Sequence, residues 1–138
     1  MDYTDLNRGE IQNRVRARQI IDFRGLRYEN ITPTDIDGMI EYKNKGFVFY
    51  EYKLRDAKMS RGQKLALERL ADAIWRGKKQ SVVFLCVHEA DNPFDDVDAA
   101  NAKVIETYYH GKWHEKDGTR TVKEHTTSFL KFLEDIAT

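Results

Sequence analysis

Phe47-Val48-Phe49-Tyr50-Glu51-Tyr52-Lys53 is the stretch that decides how this chain folds. With Leu54 it is apolar or aromatic at positions of both parities, which marks a central strand covered on both sides. Two of its residues break that pattern. Glu51 and Lys53 lie two apart and therefore share a strand face with Phe47 and Phe49. A charge on an otherwise apolar central strand costs several kcal/mol in desolvation unless it is paired or bound to a metal. The stretch is thus either a Glu–Lys pair at a strand end open to water, or part of a chemical site.

The segment before it bears on that choice. Thr34 to Tyr42 reads as the partner strand of a hairpin, joined through a turn around Lys43-Asn44-Lys45-Gly46. Asp35 and Asp37 bring two further carboxylates to this hairpin, again two apart and on one face. A three- or five-residue turn sets that face beside Glu51 and Lys53; a two- or four-residue turn does not, unless a bulge intervenes. Crowded carboxylates repel one another, and a hard divalent cation relieves the repulsion. Mg²⁺ takes one or two carboxylates together with water and substrate phosphates. A lysine beside such an ion can hold and polarise a water aimed at phosphorus.

Downstream, Ser60 and Gly62 introduce a helix running to about Trp75 and ended by Gly77, with Leu67, Leu70, Ala71 and Ile74 inward. Gln63 extends that stripe at its N-terminal end and brings an amide within plausible reach of the hairpin. Upstream, Asn7 to Asp22 has helical periodicity through Ile11, Val15 and Ile20 or Ile21. Arg14, Arg16 and Arg18 lie on its outer side, with Arg24 and Arg27 following, which makes this the most basic stretch of the chain. Gly25 ends it, and Asn30 to Pro33 is a loop. Beyond the Gln63 helix, Gln80 to His88 reads as a second buried strand and Glu89 to Ala99 as an acidic loop broken by Pro93. Lys103 to His110 is a further strand, followed by a shorter piece near Trp113 or over Arg120 to Val122. Thr126 to Ile136 is an amphipathic helix with Phe129, Phe132, Leu133 and Ile136 on one face. The expected class is mixed α/β, in the order α-β-β-α-β with a β-β-α tail.

Composition narrows the function. The 138 residues suit a single domain spanning 1–138, and 41% hydrophobic residues supply a core. Lys plus Arg number 23 and Asp plus Glu 23, which excludes a strongly basic histone-like binder but leaves room for a local basic surface. The single cysteine, Cys86, excludes an intramolecular disulfide and a Cys-rich zinc module. The longest apolar run, Val82 to Val87, is too short to span a bilayer, and MDYTDLNRGE has no apolar leader region. A soluble, cytoplasmic protein with no membrane partner is expected. Other clusters read as structure: His110, Trp113, His114 and Glu115 as solvated hairpin residues; Asp91, Asp95, Asp96 and Asp98 as a mobile acidic loop without calcium-loop spacing. His88 is a strand cap or a substrate contact, Tyr42, Tyr50 and Tyr52 pack core and rim, and His125 is a surface residue at a helix N-terminus.

Taken together, Pro33-Thr34-Asp35, Glu51-Tyr52-Lys53 and Gly62-Gln63 resemble the PD-(D/E)xK nuclease superfamily. The run Thr34-Asp35-Ile36-Asp37-Gly38 is similar to the Thr-Asp-x-x-Gly of bacterial Holliday-junction resolvases, and small phage-encoded nucleases share the organisation. The resemblance covers about Gly9 to His88. It implies a restriction-endonuclease-like core, a mixed central sheet flanked by helices. It also implies Asp35 and Glu51 as metal ligands with the Tyr52 carbonyl as a third, Lys53 as the residue that positions the water, and Gln63 as a support. Glu10 would be an acidic neighbour from the first helix. Asp35 matches the motif better, whereas Asp37 lies closer to the usual spacing from Glu51, so either aspartate is a candidate principal ligand. The activity implied is a Mg²⁺-dependent deoxyribonuclease, with Mn²⁺ as a substitute, acting on DNA as a structure-specific or Holliday-junction endonuclease. Arg14, Arg18, Arg24 and Arg27 would track phosphates. The terminal helix would close the core or contribute to a homodimer. The alternative is a catalytically idle DNA-binding or interaction module that retains the fold.

Overall fold

Two-sided burial of Gly46–Leu54 organises the molecule. The computed structural model describes Gly9 and residues 19–136. The chain divides into two compact units, Met1–Pro33 and Thr34–Thr138.

In the larger unit, strands β1 (Gly38–Tyr42), β2 (Gly46–Leu54), β3 (Gln80–His88), β4 (Lys103–Tyr109) and β5 (Lys112–Glu115) form one sheet in the order β1-β2-β3-β4-β5. β2 and β3 run parallel and the other neighbours antiparallel. The parallel pair is joined by helix α1 (Arg61–Arg76), as a parallel connection requires a crossover. Helix α2 (Val122–Glu134) follows β5. Side-chain parity then sorts the core into two layers. Phe49, Val83 and Tyr108 on one face pack with Leu67 and Ala71 of α1. Val48, Tyr50, Val82, Phe84 and Val104 on the other pack with Val122, Phe129 and Leu130 of α2.

The β1–β2 turn is three residues long, Lys43 to Lys45, because Tyr42 pairs with Gly46. Lys43 and Asn44 take left-handed conformations (φ 46° and 58°), and the Asn44 N–H donates to Glu41 Oε2 at 2.6 Å. This turn docks on the end of α2: the Tyr42 hydroxyl donates to Glu134 Oε1 at 2.9 Å and Lys45 Nζ to the Glu134 carbonyl at 3.2 Å. Helix α1 starts where Ser60 Oγ accepts the Gln63 N–H and stops at Gly77.

Several boundaries differ from the sequence reading. The first strand begins at Gly38 rather than Thr34, which leaves Asp35 and Asp37 ahead of the ladder. Helix α2 begins at Val122, four residues before Thr126, because Thr121 and Glu124 form a capping box across Thr121-x-x-Glu124. Of the two alternatives for the short strand, Lys112–Glu115 forms it, through a His110-Gly111 turn with φ of 50° and 79°; Arg120 to Val122 contributes only a bridge between Lys103 and Thr121. His110 is exposed at the β4–β5 turn, as the sequence indicates, and its ring lies 3.9 Å from Trp75 and 3.7 Å from Tyr109.

In the smaller unit, most of the Asn7–Asp22 helix lies outside the described residues, as do Glu10, Arg14 and Arg18. Its expected end is not helical: residues 19–22 carry no helical turn, and Ile20 and Ile21 are 79% and 75% exposed, without a packing face to hold one. A short 3₁₀ turn, Arg24–Leu26, includes the Gly25 that was expected to end the helix. Among the described residues no helix is long and apolar enough to cross a membrane.

Gly46 sits where the hairpin meets α2. A Cβ there would lie 2.8 and 2.9 Å from the two δ-carbons of the fully buried Leu133 and 3.1 Å from the Gln80 carbonyl oxygen. Gly46→Ala is therefore expected to destabilise the fold by about 1–3 kcal/mol in urea denaturation, as overpacking does elsewhere.

Candidate functional site

The three-residue turn fixes which acids meet. Gly38 pairs with Tyr50, so continuing the register past the end of β1 sets Asp37 level with Glu51 and Asp35 level with Lys53. Because the ladder stops at Gly38, the Tyr52 N–H has no strand partner, and Asp37 Oδ2 accepts it at 2.8 Å. The Tyr52 carbonyl points to the same edge of the strand as its N–H, toward the Asp37 side. Asp35 is exposed and makes no hydrogen bond or ion pair with the described residues.

Glu51 is 2% exposed on the α1 face of the sheet. Lys53 Nζ lies 3.1 Å from its Oε1, with the lysine side chain 24% exposed. Glu51 Oε2 is buried and has no hydrogen-bond partner among the described residues. An orphaned buried carboxylate oxygen is rare in folded proteins and leaves a full acceptor unmet. Burial pushes the Glu51 carboxyl above its ordinary range; Lys53 pulls it down, nearby Asp37 pushes it up, and the Gln63 amide pulls it down. Gln63 occupies the first turn of α1 on the inward stripe and is half-buried, as its spacing to Leu67 indicated. Asp37, Glu51, Lys53 and Gln63 are thus brought together at the open end of β1–β2.

The Tyr52 side chain turns to the opposite face, where its hydroxyl donates to the Ala99 carbonyl at 3.1 Å. Burial there pushes its phenol far up and the Cys86 thiol up to about 12, so neither supplies a nucleophile. In the other unit, Arg24 Nε and Nη2 donate to the two Asp22 carboxylate oxygens at 2.9 Å each. Arg27 donates to the Glu29 carbonyl and to Asn30. Both arginines are exposed and hold local partners.

Sequence reasoning passed over the ground beside this cluster. Leu85 of β3 lies between Glu51 and Glu106 in the row across β2, β3 and β4. Beside that row is a cavity of about 440 Å³ lined by Arg55, Lys58, Met59, Lys64, Leu85 and Glu106. Arg55 pairs there with Glu89 and Asp91, whereas Lys64 Nζ sits 4.8 Å from the Trp113 ring centre. The signal was present as cations at positions 53, 55, 58, 61 and 64, which the reading did not use. The first turn of α1 holds no acid, although a helix dipole favours one, and the cavity lining carries Asp56 and Glu106 alongside its cations.

Two carboxylates and a backbone carbonyl that face one edge, one acceptor oxygen being unmet, form a donor set of the oxygen type that Mg²⁺ prefers. Among the described residues no three His, Cys, Asp or Glu side chains converge as a closed cage. A divalent ion would therefore be completed by water and a substrate oxygen, as Mg²⁺ sites commonly are.

Compared with protein-family models, with curated proteins and with solved structures, the chain matches none.

Glu51 also carries a pH signature. A carboxyl whose folded pKa lies above its ordinary 4.5 holds its proton more tightly in the native state. Its stabilising contribution is complete below that value and is lost as the pH rises through the folded pKa. Glu51→Gln cannot ionise, and the 24% exposed Lys53 can turn to water. Without divalent ions the variant is expected to melt at a higher temperature than the parent at pH 7. The two melting curves should converge as the pH falls below 4.5.

Proposed function

We propose that this chain is a metal-dependent nuclease that hydrolyses DNA phosphodiester bonds, built on a restriction-endonuclease-like core. The observation that carries the proposal is the unpartnered, buried Glu51 Oε2 beside Asp37 and Lys53, a costly arrangement that a divalent ion and a phosphate would satisfy.

Asp37, Glu51 and the Tyr52 carbonyl would hold the ion, with Asp37 favoured over Asp35 because it alone of the two touches β2. Mg²⁺, or Mn²⁺ in its place, would supply Lewis-acid stabilisation of the charge that develops on phosphorus and on the leaving 3′ oxygen. Lys53 has one N–H committed to Glu51 Oε1 and further donors free in number to orient an attacking water. The Glu51 carboxyl, 3.1 Å away, holds that ammonium in place. Gln63, half-buried in the first turn of α1, places an amide near the same carboxylate. Lys58 and Lys64, around the acid-free N-terminus of α1, provide the positive field for the phosphates flanking the cut. That footprint is compact, which accords with a chain whose charges balance overall. The preferred substrate is a structured DNA, a flap or four-way junction, and a homodimer would place two such sites for a paired cut.

Cleavage of labelled linear, single-stranded, flapped and four-way-junction DNA with Mg²⁺ or Mn²⁺ tests this directly. Cutting by the parent should fall by about 10²–10⁴-fold in Lys53→Ala, the scale of a lost acid–base group. It should vanish in Asp37→Ala and persist in Asp35→Ala. Absence of metal-dependent cutting on every substrate would move the chain to the idle binding module. Lys58→Ala is expected to raise the KM for DNA several-fold with kcat nearly unchanged, because its contact would be uniform in ground and transition states.

A further inference from the structure

The face of the sheet away from Glu51 carries a second concavity. Helix α2 covers the β3 side of this face and leaves a groove of about 490 Å³ toward β5. Phe84, Thr107 and Tyr109 form its floor, and the helix wall is a single stripe, His125, Ser128, Phe129 and Phe132, at i, i+3, i+4 and i+7. His114 and Lys116 form the opposite wall.

Two properties of this groove select its occupant. The first is charge: its lining holds Lys116 and two imidazoles and no carboxylate, in a chain with equal numbers of acids and bases. The nearby acids are committed elsewhere. Asp117 accepts from Thr119, and Glu124 accepts from Thr121 in the capping box. Arg120 extends the basic rim by donating to Ser128 Oγ at 3.1 Å. Burial, then Arg120 and Lys116, hold the His125 imidazole below its ordinary pKa against the opposing pull of Glu124 and Asp117. The second property is the aromatic surface. Phe129 and Phe132 are neighbours at 5.9 Å, Tyr109 meets Phe129 edge-on at 6.2 Å, and Phe132 remains 44% exposed. An open groove with aromatic faces and a basic rim is matched by an unstacked base with its flanking phosphates. A duplex, whose bases are stacked on one another, cannot offer those faces.

We propose that this groove binds a segment of single-stranded nucleic acid, a base stacking at Phe129 and Phe132 and the adjoining phosphates meeting Lys116, His114 and Arg120. The site lies on the opposite face of the sheet from Glu51 and Lys53 and does not depend on cleavage, so it holds even for a chain that cuts nothing.

Fluorescence anisotropy of a labelled twelve-residue oligothymidylate in EDTA, where no metal-dependent cutting can occur, tests the proposal on the full chain. The parent should bind the oligonucleotide more tightly than the matching duplex. Phe132→Ala and Lys116→Glu, both at exposed positions, should each weaken binding about tenfold while leaving the melting temperature nearly unchanged. Lys116→Glu should also flatten the dependence of log K on log salt by about one unit or more. Arg69→Ala, at an exposed position of α1 across the sheet, should bind the strand like the parent. The proposal is overturned if both groove variants bind like the parent, if the duplex binds equally well, or if thymidine monophosphate binds as tightly as the oligonucleotide. Loss of cutting with this pattern of binding retained would count against the nuclease reading alone.

Discussion

A carboxylate and an ammonium held 3.1 Å apart on a buried strand set the terms for the whole open end of this sheet. Glu51 cannot reach water, and its pairing with Lys53 satisfies one oxygen and leaves the other unmet. Every neighbouring feature can be understood as a response to that constraint. β1 stops at Gly38, so the Tyr52 N–H is free to recruit Asp37. The Ser60 cap fixes where α1 begins and thereby delivers Gln63 to the carboxylate. The loop between them carries Arg55 and Lys58 around the adjacent cavity. A purely structural ion pair would be expected to have its second oxygen hydrogen-bonded, since a buried unmet acceptor is among the more expensive features a protein can retain. That unmet acceptor is what the proposed metal and phosphate chemistry rests on.

The sheet separates two kinds of surface by parity alone. Residues 47, 49, 51 and 53 face α1, and 48, 50 and 52 face α2, so the acid cluster and the aromatic groove are divided by one layer of backbone. For the proposed nucleic-acid partner, the separation also reconciles zero net charge with local basic surfaces. Acids are concentrated in the Glu89–Ala99 loop, where two of them neutralise Arg55, while Lys58 and Lys64 on one face and Lys116 and Arg120 on the other keep their local fields. Short-range fields of this kind survive in physiological salt, because screening acts over about 8 Å, comparable with the dimensions of a groove.

Legibility in the sequence followed the strength of the local pattern. Gln80–His88 was readable to the residue because a continuous apolar run with no periodicity fits a doubly covered strand, and α1 because Ser60 and Gly77 mark its ends chemically. Boundaries failed where the deciding interaction was local but overlooked, as with the Thr121-x-x-Glu124 box that starts α2 early. At Thr34 the reason is different. The ladder stops at Gly38, and no amino-acid preference encodes where a partner strand ends.

What the sequence determined by itself was the mixed α/β class, the two-sided burial of β2, and the coincidence of Glu51, Lys53 and Gln63 on inward positions, since periods of 2 and 3.6 are local properties of the chain. The tertiary structure alone decided that Asp37 rather than Asp35 reaches β2, because this rests on the length of one turn and the point at which β1 leaves the ladder. It alone decided that Glu51 Oε2 has no hydrogen-bond partner among the described residues, because that depends on how separate elements pack around it. The groove between α2 and β5 also appeared only in three dimensions. Its floor and walls come from four elements, and its depth is set by how far one helix fails to cover a sheet that five strands make wider than itself.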